Sequence, residues 1–261
     1  MDLKSALIVG VGPGLSASLA RLFARHGLQV ALASRNPDKL TRLAEETAAA
    51  TFACEATEPE EVAALFEVVV ATQGVPDIVV YNASARARGP VTDLDPDAVA
   101  RAIAVSGYGG FLVAQQAARH MVQRGSGAIL LTGASASVKG YPNSSAFAMG
   151  KFALRGLASA LARELSPKGV HVAHFVIDGG IRSASRADPN ENPDSTLDPD
   201  AIAETYWHVA NQDRGLLVDG IQPLAIGMER QAGNLFLGFD RQAADQGRRR
   251  EIPKFDDHRA F

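Results

Sequence analysis

Short apolar runs alternate along the chain with longer stretches in which apolar residues recur at helical spacing. The short runs are typical of buried strands and lie at residues 6–9, 28–33, 51–54, 77–81, 128–132 and 170–177. The longer stretches predict helices at about 14–26, 37–49, 58–72, 97–124 and 145–166. Each connection is far too long for a hairpin, so successive strands should run parallel with right-handed crossovers. We therefore expect an α/β fold with a single Rossmann-type, doubly wound parallel sheet flanked by helices.

The regular pattern fades after residue 180. Residues 183–197 contain two prolines among many Asp, Asn and Ser residues, which is typical of a long loop. A helix is predicted at about 198–210, and the chain beyond residue 240 is polar and basic. We therefore expect one Rossmann-type domain over residues 1–240 and a polar C-terminal tail over residues 241–261.

The composition narrows the classes of function. The chain is 46% hydrophobic and 21% charged, which suits a globular domain with a large core. The net charge of −3 gives no attraction to nucleic acid, and no stretch approaches the roughly 18 uncharged apolar residues that span a bilayer. Cys54 is the lone cysteine and by itself forms neither an internal disulfide nor a zinc site. We expect a cytoplasmic protein that acts on a small molecule, without metal, membrane or nucleic-acid partners.

A glycine-rich turn follows the first predicted strand and precedes a helix. Gly10, Gly12 and Gly14 lie in this turn, and Leu15 begins the apolar face of the helix. Glycines permit a tight bend and a close approach of the backbone to a phosphate, which the free N–H groups and dipole of the helix N-terminus then hold. Glycines are common in any turn, but dinucleotide binding requires this strand–turn–helix context. We interpret the turn as a pyrophosphate site.

The end of the second predicted strand bears on which dinucleotide would bind. An acidic residue about 20 positions after the glycines holds the ribose 2′-hydroxyl in NAD-specific Rossmann proteins. Ser34 occupies that position and Arg35 follows it. A guanidinium pairs bidentately with a 2′-phosphate, whereas a carboxylate would repel it. The alternative is that Arg35 is only a solvated residue at the start of a helix. We predict NADP rather than NAD.

Several segments in fixed order carry a more specific pattern. They are the turn Gly10-x-x-x-Gly14-x-Ser16, the pair Glu55-Ala56, the stretch Tyr81-Asn82-Ala83-Ser84 and the stretch Asp178-Gly179-Gly180-Ile181-Arg182-Ser183. Over residues 4 to about 183, the chain therefore resembles the short-chain dehydrogenase/reductase family. It departs from the family at Ser16, where the family has glycine, at Glu55, where it usually has Asp, and at Asp178, where it has proline.

The resemblance implies an NAD(P) cofactor and a set of residues that contact it. These are Gly10, Gly12, Gly14, Leu15, Ser34, Arg35, Glu55, Ala56, Asn82, Ala83, Lys151, Gly179, Ile181 and Ser183. With Arg35 considered, NADPH should be preferred over NADH. The resemblance also implies a homodimer or homotetramer, often formed through the helices predicted at 97–124 and 145–166. The last strand of the family has no clear match, and residues 216–220 are the nearest candidate.

The family's catalytic tetrad of Asn, Ser, Tyr and Lys is degenerate in this chain. Only one phase fits the Tyr-x-x-x-Lys spacing, and it places Phe147 at the tyrosine and Lys151 at the lysine. A spacing of four puts both residues on one helical face. Counting back the usual 13 positions from Phe147 gives Ala134 at the serine, and the asparagine position is Ser106. Three of the four members are therefore replaced.

The missing tyrosine matters because hydride transfer to a carbonyl creates an alkoxide that needs a proton donor. Tyrosine serves when an adjacent lysine lowers the pKa of its hydroxyl, and phenylalanine has no hydroxyl. Loss of a positioned acid costs roughly 10²–10⁴ in rate. Ser135, Tyr141 and Asp178 are conceivable replacement donors, although an ordinary structural or surface role is the simpler interpretation of each.

Three hypotheses follow for the function. The first is an NADP(H)-dependent oxidoreductase that uses an atypical acid or a substrate that needs no tyrosyl proton. The second is a catalytically silent NADP(H)-binding partner or regulatory protein. The third is a non-redox enzyme, such as an isomerase, on the same scaffold. Substrate-dependent NADPH oxidation, cofactor binding without turnover, and product formation without cofactor oxidation distinguish them.

Overall fold

The chain forms one parallel sheet of seven strands in a computed structural model that describes residues 3–183, 195–212 and 223–227. The strands are β1 (Ser5–Val9), β2 (Gln29–Ser34), β3 (Ala50–Ala53), β4 (Ile78–Tyr81), β5 (Gly127–Thr132), β6 (Val170–Asp178) and β7 (Pro223–Gly227). Their order is β3-β2-β1-β4-β5-β6-β7, and every pair is parallel. The expected doubly wound Rossmann-type sheet is confirmed.

Seven α-helices cover the two faces of this sheet in the described part of the chain. They are α1 (Leu15–Arg25), α2 (Thr41–Thr47), α3 (Pro59–Gln73), α4 (Pro96–Ile103), α5 (Gly109–Arg124), α6 (Ser145–Leu165) and α7 (Pro199–Ala210). Asp95 caps α4 and Asp198 caps α7 through carboxylate bonds to backbone N–H groups, and a proline follows each cap. The sequence signals that start α4 and α7 therefore lie within the first residues of each helix.

Two apolar clusters hold the helices to the sheet. On one face, α1 and α7 pack over β1, β4 and β6, and the ring of Tyr206 stacks on Phe175 with centroids 3.6 Å apart. On the other face, α3, α5 and α6 bury Phe66, Met121 and Leu154. Strands that are buried on both faces require continuous apolar runs, which explains why the strand pattern is easy to read in this sequence.

The helix predicted at 97–124 is wrong as a single α-helix. A π-helical turn, Ala104–Tyr108, separates α4 from α5. The hydroxyl of Tyr81 donates a hydrogen bond to the carbonyl of Val105, so a side chain inserts where the regular helix would close on itself. Gly109 permits this approach, because a Cβ there would overlap the Tyr81 hydroxyl.

Other boundaries also differ from the predictions. A 3₁₀-helix, Pro37–Leu40, precedes α2 and replaces the first four residues of the helix predicted at 37–49. The seventh strand is Pro223–Gly227, whereas the candidate segment 216–220 and the tail 241–261 lie outside the described residues. Within the described ranges, no helix is long and apolar enough to cross a membrane, and no cluster of metal-binding side chains occurs.

Candidate active site

Two cavities open at the carboxyl ends of the strands, and one of them lies where the strand order reverses between β1 and β4. Ligands of open α/β sheets bind at this switch point. The first cavity, which we call the cofactor cleft, has a volume of about 260 Å³ and is lined by the ends of β1 to β4 with Ser34, Arg35, Glu55, Asn82 and Ala83. The second, which we call the reaction pocket, has a volume of about 560 Å³ and is lined by Arg86, Ala134, Ser135, Tyr141, Phe147 and Asp178, among others.

The three glycines of the first turn have different surroundings. Gly10 has a φ of +84°, and a Cβ there would overlap the backbone of Ala83. Gly12 faces open space, with no atom of the described residues within 4 Å of an added Cβ. Gly10 is therefore required for the local backbone packing, whereas Gly12 leaves room for a ligand.

Helix α1 begins at this turn with its N-terminus open. Gly14 precedes the helix, and no side chain in the described part of the chain caps it. The first turn also contains no acidic residue, so its N–H groups and positive dipole are available to an anion. The side chain of Leu15 is buried in the core, so this residue can offer a ligand only its backbone.

Ser16, which replaces the last glycine of the family pattern, ties the turn to β4. Its hydroxyl donates to the carbonyl of Gly10 at 3.2 Å and accepts from the side-chain amide of Asn82 at 2.6 Å. The backbone N–H of Asn82 donates to Val9 at 2.9 Å. The substitution therefore adds a polar link between the turn and the wall of the cofactor cleft. The sequence identified Ser16 only as a departure from the family.

The far end of the cofactor cleft lies between β2 and β3. The buried hydroxyl of Ser34 has no hydrogen-bond partner among the described residues, so it is a polar atom in need of a ligand. The side chain of Arg35 is 79% exposed, and its nearest nitrogen lies 4.0 Å from the carboxylate of Glu55. This long contact leaves the guanidinium free to rotate. An uncapped helix, open space at Gly12 and an unsatisfied Ser34 together fit a dinucleotide.

Helix α6 brings Phe147 and Lys151 together beside the reaction pocket. Phe147 is 7% exposed, and the ammonium nitrogen of Lys151 lies 5.8 Å from the centroid of its ring. Lys151 is buried and donates to the backbone carbonyl of Thr132 at 2.7 Å. Burial, with a smaller repulsion from Arg86, lowers the pKa of Lys151 to about 7. Ala134 and Ser135 lie in the wall of the same pocket.

Ser106 lies in the π-helical turn, where the structure gives it a definite set of partners. Its hydroxyl accepts from the backbone N–H of Ala85 at 3.2 Å and donates to the carbonyl of the same residue at 3.3 Å. A Cβ at Gly150 would meet the Cβ of Ser106 at 2.6 Å, so glycine permits α6 to pack closely here. Ser106 therefore anchors the loop that follows β4.

The proposed replacement donors differ in their surroundings. The carboxylate of Asp178 lies 3.3 Å from the ammonium of Lys139. Tyr141 is 42% exposed in the pocket wall, with Lys139 lying 5.5 Å from the centroid of its ring.

The loop after β6 lies between the reaction pocket and the glycine turn. Gly179 lines the reaction pocket, and Ile181 pairs with Leu197 in an isolated bridge. An added Cβ at Gly14 would lie 3.8 Å from the side chain of Ser183. The loop after β6 therefore reaches the glycine turn.

Arg86 is the residue of the pocket that the sequence reasoning missed. Its guanidinium carbon lies 3.9 Å from the centroid of the Phe147 ring, in cation–π contact. The sequence offered a weak signal, since Arg86 and Arg88 alternate with alanines directly after the Asn82 motif. Nothing in that alternation shows which ring the guanidinium would cover.

Comparison with known proteins agrees with this architecture. The family model for short chain dehydrogenase matches residues 4–194. An uncharacterised oxidoreductase of Staphylococcus aureus (strain N315) is 28% identical over 221 residues, which cover 84% of this chain and 95% of the relative. A short-chain dehydrogenase structure from Rhodopseudomonas palustris is also 28% identical, with a TM-score of 0.73, covering 84% of this chain and 97% of the other.

A further solved structure shares this fold. It is a tyrosine-to-phenylalanine variant of ElxO with NADPH bound, 21% identical to this chain, with a TM-score of 0.76, covering 85% of this chain and 97% of the other. Given the match of the family model over most of its length, the chain belongs to the short-chain dehydrogenase family. Members of this family are oxidoreductases that bind NAD(P), and the expected family is confirmed.

Proposed function

We propose that this protein is an NADP(H)-dependent oxidoreductase whose substrate oxygen is not protonated by a tyrosine. The observation that carries the proposal is the cofactor cleft, which combines the open N-terminus of α1, the space at Gly12 and the unsatisfied hydroxyl of Ser34. NADPH, when bound, supplies a hydride to a carbonyl carbon. The amide of Asn82 and the turn at Gly14 would hold the cofactor at the switch point.

Lys151 has the clearest role on the chemical side. Its ammonium group is fixed by the carbonyl of Thr132, and it is the residue that we propose would hold the hydroxyl groups of a ribose. Phe147 and Ala134 present no hydrogen-bonding side-chain atoms to the reaction pocket. The proton for the substrate oxygen would therefore come from water or from the hydroxyl of Tyr141 or Ser135. Reduction of ordinary ketones should be slow.

A preference for NADPH rests on the surroundings of the ribose. Neither Ser34 nor Arg35 is acidic, and the exposed guanidinium of Arg35 can turn from Glu55 towards a 2′-phosphate. The ElxO variant gives a precedent, as a protein of the same fold that was solved with NADPH after a tyrosine was replaced by phenylalanine.

A catalytically silent, NADP(H)-binding protein is the second candidate. It is favoured by the loss of polar side chains at both Phe147 and Ala134, since the two positions that would hold and protonate a carbonyl oxygen are apolar. Both candidates share the cofactor cleft. They differ only in whether NADPH is consumed when a carbonyl compound is added.

Fluorescence titration with NADPH and NADH tests the proposal. We expect NADPH to bind about tenfold more tightly, since a charge-assisted hydrogen bond to a phosphate contributes roughly 1.5–3 kcal/mol and Arg35 is exposed. Arg35→Ala should remove the preference, and Arg42→Ala, a control at an exposed arginine of α2, should keep it. Equal affinities in the parent protein would refute the NADP assignment. A panel of carbonyl compounds then separates the enzyme from the silent protein.

We also propose that the protein forms a homodimer or homotetramer through α5 and α6. Tyr108, Phe111, Met149 and Phe152 are large apolar side chains that are 40–47% exposed in this region. Exposed apolar surface of this kind is typical of a protein–protein interface. Light scattering coupled to gel filtration measures the oligomer, and a monomer would contradict this assignment.

A further inference from the structure

Two kinds of side chain line the reaction pocket. Ala134 and Phe147 are apolar, and Phe147 is nearly buried. Ser135, Asn143 and Ser144 carry uncharged hydroxyl and amide groups, and we call these three residues the polar wall. A pocket of about 560 Å³ with this mixture suits a small molecule that combines a carbonyl group with uncharged polar groups.

The polar wall has hydrogen-bonding capacity that the protein does not use. The side chains of its three residues make no hydrogen bond within the described part of the chain. Ser144 stands at the N-cap of α6, where a serine hydroxyl usually accepts from the first turn of the helix, yet it caps no backbone N–H. Hydroxyl and amide groups without a protein partner bind water or a ligand. The polar wall is therefore available to a substrate.

The backbone under the polar wall is held in place. The carbonyl of Asn143 accepts from the N–H of Gly89 at 3.3 Å. Asn143 has a φ of +59°, a left-handed conformation that asparagine tolerates better than most residues. The carbonyl of Ser135 accepts from the N–H groups of Val138 and Lys139, each at 3.0 Å. Polar groups on a backbone that is already fixed lose less conformational freedom when a ligand binds.

The carboxylate that lines the pocket in the described part of the chain is already paired. It belongs to Asp178 and lies 3.3 Å from the ammonium of Lys139. Hydrogen bonds with the hydroxyl of Tyr141 and with Asp178 raise the pKa of Lys139, which therefore stays positively charged beside the carboxylate. The described residues of the pocket thus offer no unpaired carboxylate to a cationic substrate.

The apolar positions of the pocket limit which carbonyl compounds can be reduced quickly. Hydride transfer to a carbonyl carbon leaves negative charge on the oxygen, which a nearby hydrogen-bond donor stabilises. The side chains of Phe147 and Ala134 carry no such donor. A hydroxyl group on the carbon next to the carbonyl can donate to that oxygen within the substrate itself. A hydroxylated ketone therefore brings a donor that the protein lacks at these two positions.

We propose that the substrate is a small polyhydroxylated ketone with a hydroxyl group next to the carbonyl, and that Ser135, Asn143 and Ser144 bind its other hydroxyl groups. This inference rests on the proposed function and specifies its substrate class. Hydroxyl and amide groups both donate and accept hydrogen bonds, as the hydroxyl groups of such a substrate do, whereas a carboxylate only accepts. The polar wall therefore matches a neutral, hydroxyl-rich compound.

The reaction is a two-electron reduction with NADPH as the reductant. A hydride passes from the nicotinamide to the carbonyl carbon, the π electron pair of the C=O bond moves to the oxygen, and that oxygen takes one proton from water. The neighbouring hydroxyl group donates a hydrogen bond to the oxygen during this step and keeps its own proton. The products are a polyol and NADP⁺, and hydroxide is released to the solvent.

Isothermal titration with four compounds of equal chain length tests the inference. L-Erythrulose carries three hydroxyl groups, 1-hydroxy-2-butanone carries one, 2-butanone carries none, and 2-oxobutyrate carries a carboxylate instead. Each is titrated with NADP⁺ present, so that no reduction occurs, and again without cofactor. Erythrulose should bind at least tenfold more tightly than 2-butanone, with 1-hydroxy-2-butanone between them, since each hydrogen bond contributes a factor of about 2–10. Equal binding, no binding of any compound, or tighter binding of 2-oxobutyrate would overturn the proposal.

Variants identify the residues responsible. Asn143→Gly with Ser144→Ala should remove most of the preference for erythrulose over 2-butanone, and glycine suits the left-handed conformation at position 143. The melting temperature should stay unchanged, because neither side chain has a partner among the described residues. Thr72→Ala, at an exposed hydroxyl of α3, is the matched control and should keep the preference. An undiminished preference in the double variant would refute the assignment.

The proposed function and the substrate class can fail separately. If NADPH does not bind, the proposed function is wrong, while the titrations without cofactor still report on the polar wall. If NADPH binds and the hydroxyl groups make no difference, only the substrate class is wrong. With NADPH, the ratio of kcat/KM for erythrulose over 2-butanone should fall in the double variant by the same factor as the ratio of affinities.

Discussion

The cofactor cleft and the reaction pocket meet at one edge of the sheet, yet they depart from the family pattern to different degrees. In the cofactor cleft, the substitution of glycine by Ser16 adds hydrogen bonds to Gly10 and Asn82. In the reaction pocket, the substitutions at Phe147 and Ala134 remove hydrogen-bonding groups, and Arg86 covers the ring instead. Binding of the cofactor and protonation of the substrate are thus separate properties, and a chain can keep the first while changing the second.

The largest expected effect comes from restoring the acid in the reaction pocket. Phe147→Tyr combined with Ala134→Ser should raise the reduction of simple ketones by about 10²–10⁴, because Lys151 already lies beside the ring and would lower the pKa of the new hydroxyl. Steady-state NADPH oxidation measures the gain. Phe147→Leu with Ala134→Ser is the matched control, without a phenol, and should show no gain. Brisk ketone reduction by the parent would show that another donor already serves.

The second effect distinguishes Gly12, which faces open space, from Gly10, which packs against the backbone of Ala83. Gly12→Val should weaken NADPH binding by about 100-fold, because the side chain would fill the space left for the pyrophosphate. Its melting temperature should not change, since nothing in the described structure lies within 4 Å of the new Cβ.

Gly10→Ala gives the contrast for this test. The added Cβ would overlap the backbone of Ala83, and residue 10 has a left-handed backbone conformation that disfavours alanine. The melting temperature of this variant should therefore fall, whereas that of Gly12→Val should not. Normal NADPH binding by folded Gly12→Val would mean that the pyrophosphate lies elsewhere.

The smallest effect concerns the pH dependence of stability, to which Lys151 beside the reaction pocket should make the largest contribution. The pKa of buried Lys151 is lowered to about 7, whereas the unfolded chain keeps a lysine pKa near 10.4. Between these values the unfolded state binds about one proton more, so the free energy of unfolding should rise with pH by up to about 1.4 kcal/mol per pH unit.

Urea denaturation between pH 7 and 8.5 measures this slope. Lys151→Met should flatten it. Lys139→Met should not, because the pKa of this exposed lysine is raised and it stays protonated in both states over that range. Identical slopes in the parent protein and Lys151→Met would show that Lys151 keeps its charge when buried.

The fold could be predicted because its determinants are local. Strands such as β1 and β4 are buried throughout and consist almost wholly of apolar residues, and helices such as α7 begin with an Asp-Pro pair. The π-helical turn could not be predicted, because it depends on a hydrogen bond from Tyr81 to Val105, two residues that only the folded sheet brings together. The strand Pro223–Gly227 was missed because the sequence around it has no clear alternation.

The candidate site likewise has features that could be predicted from the sequence and features that could not. The spacing of four between Phe147 and Lys151 predicts that they share a helical face, and the structure brings them together. The position of Arg86 could not be predicted from the sequence. It depends on the loop after β4, which Ser106 anchors from the π-helical turn. The role of Ser106, which replaces the family's asparagine, therefore follows from its hydrogen-bond partners in the folded chain and not from the sequence.

Backbone hydrogen bonds join Leu197 to Gly180 and Arg182, so the chain returns to nearly the same point after it leaves the pocket wall. The returning helix is fixed by Tyr206, which donates to Thr132 at 2.9 Å, the residue that also holds Lys151. Thr132 therefore ties the position of the returning helix α7 to that of Lys151.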